Sequence, residues 1–236
     1  MNKFIFDVDG TLTPSRRGMD ADFQGYFVDF CYANDVYLVT GSDYAKTLEQ
    51  VGLDVCNAVT RIYNCNGNDV WEKGVNTRTN EWTLPEDAHE WLAQQLTSSM
   101  YNVRTGLHFE HRPGLVNFSI VGRNATNEQR ADYVAYDEHS GERIWVADKF
   151  NLIFPDLRAT VGGETGIDIA PLGFDKAQII EDFDVDDKLY FFGDRMDPDG
   201  NDYTLSLEVD IAKPVKKWQE TLELLQYFQE VKVAAT

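Results

Sequence analysis

Positive charge is scarce in this sequence. Its 21 lysines and arginines stand against 40 aspartates and glutamates, a formal net charge of −19. So acidic a chain repels nucleic acid and anionic membrane surfaces, so no nucleic acid and no membrane are expected among its partners. Long apolar runs are lacking too. Only a short one precedes Asp7, too little for a signal peptide, and no later run approaches the span of a bilayer. Cysteine is limited to Cys31, Cys56 and Cys65, without C-x-x-C spacing, so neither a disulfide framework nor a zinc site is expected. Core thiols in a reducing cytoplasm fit that usage. Repeats and low-complexity tracts are absent. What remains is 43% hydrophobic residues over 236 positions, enough for a folded core and a length between one and two domains.

The stretch that carries most chemistry is the first. Lys3-Phe4-Ile5-Phe6 reads as a buried strand, and it stops at Asp7-Val8-Asp9-Gly10-Thr11-Leu12-Thr13. Residues two apart on an extended backbone point to the same side, so Asp7 and Asp9 lie side by side. They sit at the carboxyl end of the strand, where open α/β sheets place their ligands. Like charges so close call for a proton or a cation, and a hard divalent ion suits oxygen ligands. Asp7 is then the nucleophile towards phosphorus and Asp9 the general acid/base. A plain strand end with an Asp-Gly turn is the competing reading of Asp7 to Gly10 taken alone.

Further along, periodicity predicts a helix over about 20–34 with Phe23, Phe27, Phe30 and Cys31 on one face. Val36–Val39 is an apolar strand ending at Thr40-Gly41-Ser42-Asp43. There Ser42 can hydrogen-bond a phosphate oxygen, or Ser42 or Asp43 can cap a helix over 44–50. Arg61–Asn66 is a short strand, and residues 70–82 read as a hairpin built on Lys73–Asn80. The rhythm changes near Pro85. A helix over 85–100, a hairpin at Pro113-Gly114, a helical region over 128–151 interrupted at Ser140-Gly141, and strands at 157–161 and 167–169 read as a separate antiparallel α+β insert. The first rhythm then returns: a short helix over 175–183, a strand over 188–192, a strand over 209–212 and an amphipathic helix over 215–230.

Phe191-Phe192-Gly193-Asp194 repeats the logic of the opening stretch, an apolar strand ending in a carboxylate. Beside the first strand, Asp194 would complete an oxygen cage with Asp7 and the main-chain carbonyl of Asp9. That set suits Mg²⁺, which keeps several waters and takes few carboxylates. Asp202 is a further ligand or a support for one. Lys176 is the cation for Asp7 and for the transferring phosphoryl group.

The opening motif resembles the first motif of the haloacid dehalogenase superfamily of phosphoryl-transfer enzymes. A narrower likeness runs through Gly41-Ser42-Asp43, Asn66-Gly67, Glu110 to Gly114, Asn117, Gly122-Arg123, Arg130, Gly162-Gly163, Asp168, Gly173 to Lys176, and Phe191-Phe192-Gly193-Asp194 to Tyr203. In that order these are similar to the eukaryotic-type phosphomannomutases. The resemblance implies a doubly wound, mainly parallel α/β core over 1–82 and 173–236, with an inserted α+β cap over 83–172. It implies Mg²⁺-dependent exchange of phosphate between the 1- and 6-positions of a hexose, through an aspartyl-phosphate on Asp7 and a hexose bisphosphate. It also implies that cap closure places the sugar over the site, and a homodimer formed through the cap.

A second phosphate on such a substrate needs its own cations, and arginine matches phosphate bidentately. Arg112, Arg123 and Arg130 belong to the insert and Arg16 follows the first motif, while Asn117 and Asp168 are placed to bond sugar hydroxyls. Three departures stand out. Cys65 replaces a usual acid, Pro113 alters the cap turn, and Gly166 stands where a serine usually holds the distal phosphate. A weaker grip there turns a mutase towards a sugar-phosphate phosphatase, the alternative function. A silent metal- or sugar-phosphate-binding module would not need the second carboxylate, Asp9.

Overall fold

The structure is a computed structural model that describes residues 1–14, 17–198 and 200–234. The chain forms two compact units, one of residues 1–79 with 175–236, the other of residues 80–174. These divisions lie a few residues from the expected 82/83 and 172/173.

The first unit is built on a seven-stranded sheet. Strands β1 (Asn2–Phe6), β2 (Asp35–Val39) and β3 (Arg61–Asn64) run parallel, and the antiparallel β4 (Asp69–Glu72) and β5 (Val75–Thr79) extend one edge. On the other side of β1 come the parallel strands named below as β10 and β11, which fall at Lys188–Gly193 and Ile211–Pro214. Successive side chains leave a strand on opposite faces, and both faces are covered. Phe4, Phe6, Leu38 and Phe192 pack on one side with α1 (Ala21–Ala33), α2 (Tyr44–Ala58) and Leu225 of the last helix. Ile5, Tyr37, Val39 and Phe191 pack on the other, against a 3-10 helix over Lys176–Asp182 that carries Ile179. Helices on both faces of a mostly parallel sheet make the doubly wound class expected from the sequence.

Local chemistry sets the elements. Asp20 caps α1 by accepting from the backbone N–H of Asp22 and Phe23, and Asp43 caps α2 by accepting from Lys46 N–H. That decides between Ser42 and Asp43 as the cap. Helix α2 runs further than residue 50 because its chain kinks at Gly52, whose φ of 82° only glycine adopts readily, and continues to Ala58.

The second unit stacks helices on one face of a four-stranded antiparallel sheet. Its elements are α3 (Glu86–Ser98), β6 (Phe109–Arg112), β7 (Leu115–Phe118), α4 (Asn127–Ser140), α5 (Glu142–Ile153), β8 (Leu157–Gly162) and β9 (Gly166–Pro171). The sheet order is β6-β7-β9-β8. Val116, Phe118, Ile167 and Ile169 point one way, into a core with Leu92, Tyr133, Val146 and Phe150. Gly141, at φ 66°, breaks the helical run into α4 and α5 as its Ser-Gly pair suggests.

Four expectations shift. The hairpin at 70–82 turns at Lys73-Gly74, not over Lys73–Asn80, since β4 and β5 pair Glu72 with Val75. Residues 175–183 form a 3-10 helix rather than an α-helix. A sixth helix, α6 (Tyr203–Glu208), precedes the last strand and moves it from 209–212 to β11 at Ile211–Pro214; its single buried apolar side chain, Leu205, gave too little periodicity to read. The last helix, α7, covers Trp218–Ala234.

The joint between β1 and β10 rests on aromatic stacking: the Phe6 and Phe192 rings lie 4.6 Å apart and nearly parallel, both wholly buried. Phe192→Ala removes that ring beside the site. Urea unfolding is expected to show a loss of about 3–5 kcal/mol.

Candidate active site

Strands β1 and β10 are parallel neighbours in the register Phe6–Phe192, and the register continues one step as Asp7 N–H donates to Phe192 O at 2.9 Å. From this pair the chain winds outward both ways, through β2 and β3 on one side and β11 on the other. Their carboxyl ends therefore form the topological switch point at which open sheets take ligands. Asp7 and Asp194 leave those two ends.

The opening turn closes tightly. Gly10 N–H donates to Thr13 O (2.9 Å), Leu12 N–H to Val8 O (2.9 Å), and Thr221 of α7 donates its hydroxyl to Thr11 O (2.7 Å). Gly10 sits at φ 81°, and a Cβ on it would stand 2.3 Å from Asp194 Oδ2. Only glycine lets the two strand ends bring their carboxylates this close.

Asp202, in the turn before α6, completes the group: one carboxylate oxygen each from Asp7, Asp194 and Asp202 lie within 4.8 Å of one another. Asp202 Oδ2 is held by Arg195 N–H at 3.0 Å. Between them enters Lys176, whose side chain has no exposure. Its Nζ donates to Asp7 Oδ1 (2.6 Å) and to Asp202 Oδ1 (2.7 Å). The 3-10 helix that delivers it begins at Asp175, which accepts from Ala177 N–H at 2.8 Å.

Three carboxylates against one ammonium leave a surplus of negative charge in a buried place, which shifts the pKa values of the group. Burial drives Asp7 well above the usual carboxylate range; Lys176 opposes this, and Asp202 and Asp194 add to it. Burial first and Asp202 second push Asp194 up to about 6. Burial works against the Lys176 ammonium, but Asp202 and Asp7 outweigh it and raise its pKa. Asp7 Oδ2 is buried with no hydrogen-bond partner among the described residues. An all-oxygen donor set, excess negative charge and an orphaned carboxylate oxygen together fit a hard divalent cation.

The other sequence-predicted residues fall into separate groups. Asp9 is half-buried, and its Oδ1 accepts from Gln50 Nε2 at 2.9 Å; its carboxylate is not one of the clustered three. Ser42 is half-buried beyond β2, with its N–H on Thr40 Oγ1 (3.1 Å) and its carbonyl on Cys65 N–H (2.9 Å). Arg16 lies outside the described residues.

In the second unit, Glu110, Asn117, Asp168 and Thr160 form a cross-strand row on the sheet face opposite its helices. Arg112 and Arg123 both meet Glu110 Oε2, at 2.5 and 2.9 Å. Asn117 donates to Asp168 Oδ1 at 2.7 Å, leaving its own Oδ1 buried without a partner among the described residues. Arg130 pairs instead with Glu164 at 3.1 Å, on the turn between β8 and β9. A Cβ on Gly166 would lie 2.3 Å from Asn117 Nδ2, so no side chain fits there while Asn117 keeps its place.

Sequence reasoning missed Gln50, the partner that Glu110 gives two arginines, and Asn66, whose buried Oδ1 has no partner among the described residues. A signal existed for two of them. Gln50 is polar at a core position of α2 beside Thr47 and Val51, and Glu110 is two residues from Arg112 on one strand face.

A family model described as eukaryotic phosphomannomutase matches residues 27–230. The chain belongs to the eukaryotic phosphomannomutase family. It is 29% identical to a phosphomannomutase of Saccharomyces cerevisiae, over 94% of this chain and 91% of that protein. It is 31% identical to human phosphomannomutase 1, over 85% of this chain and 81% of that one. Among solved structures it resembles a haloacid dehalogenase-like hydrolase from Bacteroides thetaiotaomicron, with a TM-score of 0.57 at 12% identity, covering 90% of this chain and 94% of that one. At that identity the likeness speaks for the fold. The family match begins after the opening motif, so Asp7 and Asp9 rest on the geometry given above.

The raised Asp194 fixes a pH dependence. Without a cation, the folded state holds a proton that the unfolded state releases, so this group's stabilisation is complete in acid and is lost as pH rises through about 6. A divalent cation competes with that proton. Added magnesium is expected to raise the thermal midpoint clearly at about pH 7.5 and much less at about pH 5 in paired melts. Equal shifts would remove Asp194 from the cation site.

Proposed function

We propose that this chain catalyses Mg²⁺-dependent phosphoryl transfer on a hexose phosphate, interconverting mannose 1-phosphate and mannose 6-phosphate. The observation that carries the reading is Asp7, a buried carboxylate with one oxygen on Lys176 and the other without a partner among the described residues, at the sheet's switch point. Asp7, Asp194 and Asp202, with the main-chain carbonyl of Asp9, would hold the magnesium. Bound there, the ion supplies positive charge to the phosphoryl oxygens and to the crowded carboxylates.

The chain's own residues then divide the work. Asp7 attacks phosphorus in line, and Lys176 favours the ionised form of the nucleophile and neutralises charge on the transferring group. Asp9 protonates the leaving sugar oxygen, then takes the proton from the acceptor hydroxyl as the phosphoryl group returns to sugar. Ser42 bonds a phosphate oxygen. The remote phosphate of the substrate, or of a hexose bisphosphate activator, falls to Arg112, Arg123 and Arg130 with Arg16, and the sugar hydroxyls to Asn117 and Asp168. Residues 80–174 serve as the substrate-binding cap and the remainder as the catalytic core. An exposed apolar side of α5, with Ile144, Trp145, Leu152 and Ile153, supports a homodimer through that cap. Three buried, unbridged cysteines suit a cytoplasmic location.

One observation favours the phosphatase as a second reading. Gly166 offers no hydroxyl to the distal phosphate, and Asn117 fills the space such a side chain would need. Weaker retention of the bisphosphate gives water its chance at the aspartyl-phosphate.

Asp7→Asn keeps the size of the side chain and removes the nucleophile. Turnover is expected to fall by at least about 1,000-fold with the circular dichroism spectrum intact. Retained turnover would exclude Asp7. The two readings separate by product: mannose 1-phosphate with a trace of mannose 1,6-bisphosphate should yield mannose 6-phosphate. Free phosphate as the main product would establish the phosphatase instead.

A further inference from the structure

Glutamine 50 is a polar side chain beside the reacting groups that the mechanism leaves unused, buried to 2% exposure. Its Nε2 donates to Asp9 Oδ1 at 2.9 Å and lies 3.5 Å from Thr13 Oγ1, while its own Oε1 is buried without a partner among the described residues. A buried amide with an orphaned acceptor is costly, and a Leu would fill a core position of α2 at no such cost. The backbone is arranged to deliver it. The helix breaks at Gly52, so Gln50 O accepts from Met19 N–H (2.7 Å) and Val51 O from Gln24 Nε2 (2.6 Å). Both contacts tie this turn of α2 to the segment that follows the Asp7–Thr13 motif.

We infer that Gln50 is a positioning residue for Asp9, holding its carboxylate in one orientation through the bond to Oδ1. The inference rests on Asp9 being the general acid/base. The buried amide fixes the direction in which Oδ1 lies. The bond also locks the carboxylate against rotation about its terminal torsion, which is otherwise broad. In the first half-reaction an Asp7 carboxylate oxygen bonds to phosphorus and the bond from phosphorus to the sugar oxygen breaks. The electron pair stays on that oxygen, and the proton of the Asp9 carboxyl moves to it. In the second, the acceptor oxygen bonds to phosphorus, the Asp9 carboxylate takes the acceptor's proton, and the pair of the Asp7–phosphorus bond returns to Asp7. Gln50 exchanges no proton; it holds the carboxylate that does.

Leaving-group dependence tests this, because p-nitrophenolate departs without a proton whereas a sugar alkoxide needs one. Single-turnover rates with mannose 6-phosphate and with p-nitrophenyl phosphate are compared for the full chain with magnesium. Gln50→Leu is expected to slow the sugar ester about 10–100-fold and the aryl ester less than about 3-fold. Gln50→Glu keeps the size and lacks the donor at neutral pH, and should show the same split. The aryl rate also counts intact sites, so a folding defect would lower both rates together. Equal losses on both esters, no loss on either, or a wild-type Gln50→Glu would overturn the inference. Asp9→Asn is run beside them. If it too slows both esters equally, the acid role of Asp9 has failed; if it shows the split and Gln50→Leu does not, only the role of Gln50 has.

Discussion

One constraint governs the first unit: three carboxylates and a single ammonium share a space that water barely reaches. Lys176 at 2.6 and 2.7 Å from Asp7 and Asp202 offsets part of the repulsion. Lysine suits that position because a compact, rotatable ammonium serves two carboxylates at once, where the planar fork of arginine would need more room. What the lysine does not neutralise is expressed as the upward shifts of Asp7 and Asp194. The charge imbalance is therefore a built-in affinity for a cation, and the fold must withstand it when none is bound.

The means of withstanding it is the sheet. Asp7 and Asp194 stand at the ends of two strands whose Phe4, Phe6, Phe191 and Phe192 side chains are buried on both faces. Backbone pairing runs one residue further, through Asp7 N–H to Phe192 O, so Asp7 is anchored by main chain as well as by its side chain. Apolar burial below and hydrogen bonds at the rim thus hold like charges together that would otherwise part. Glycine at position 10 is the steric condition for the same approach.

Much of this was legible in the sequence because each signal was local. An apolar run ending in Asp appears at Asp7 and again at Asp194, and strand ends are where such patterns are least ambiguous. The α+β insert was readable from Pro85, Pro113-Gly114 and Ser140-Gly141, whose backbone preferences act over a few residues. What failed was register and partnership. Helix α6 buries one apolar residue, so the strand behind it was read two residues early. Asp202 was legible as a ligand or a support for one, but its partners Lys176 and Arg195 were not, being distant in sequence or visible only once the turn is folded. Gln50 gave only a polar residue at a helical core position, and its partner Asp9 lies 41 residues away.

The sheet face of the second unit follows the opposite electrostatic rule from the catalytic cluster. There acids crowd and want a cation; here Arg112 and Arg123 are brought together by one oxygen of Glu110, and Arg130 by Glu164. The pairing with a carboxylate orders each guanidinium fork. In a chain of −19, such pairing also keeps arginines from scattering to other acids. Taken separately, the acidic cluster of the first unit suits a cation and the arginines of the second suit an anion. At Gly166 a side chain has no room, since a Cβ there would meet Asn117 Nδ2. On the proposed mechanism, how firmly the arginines retain a second phosphate would decide whether the aspartyl-phosphate meets sugar or water, which is a question of residence time rather than of the chemistry at Asp7.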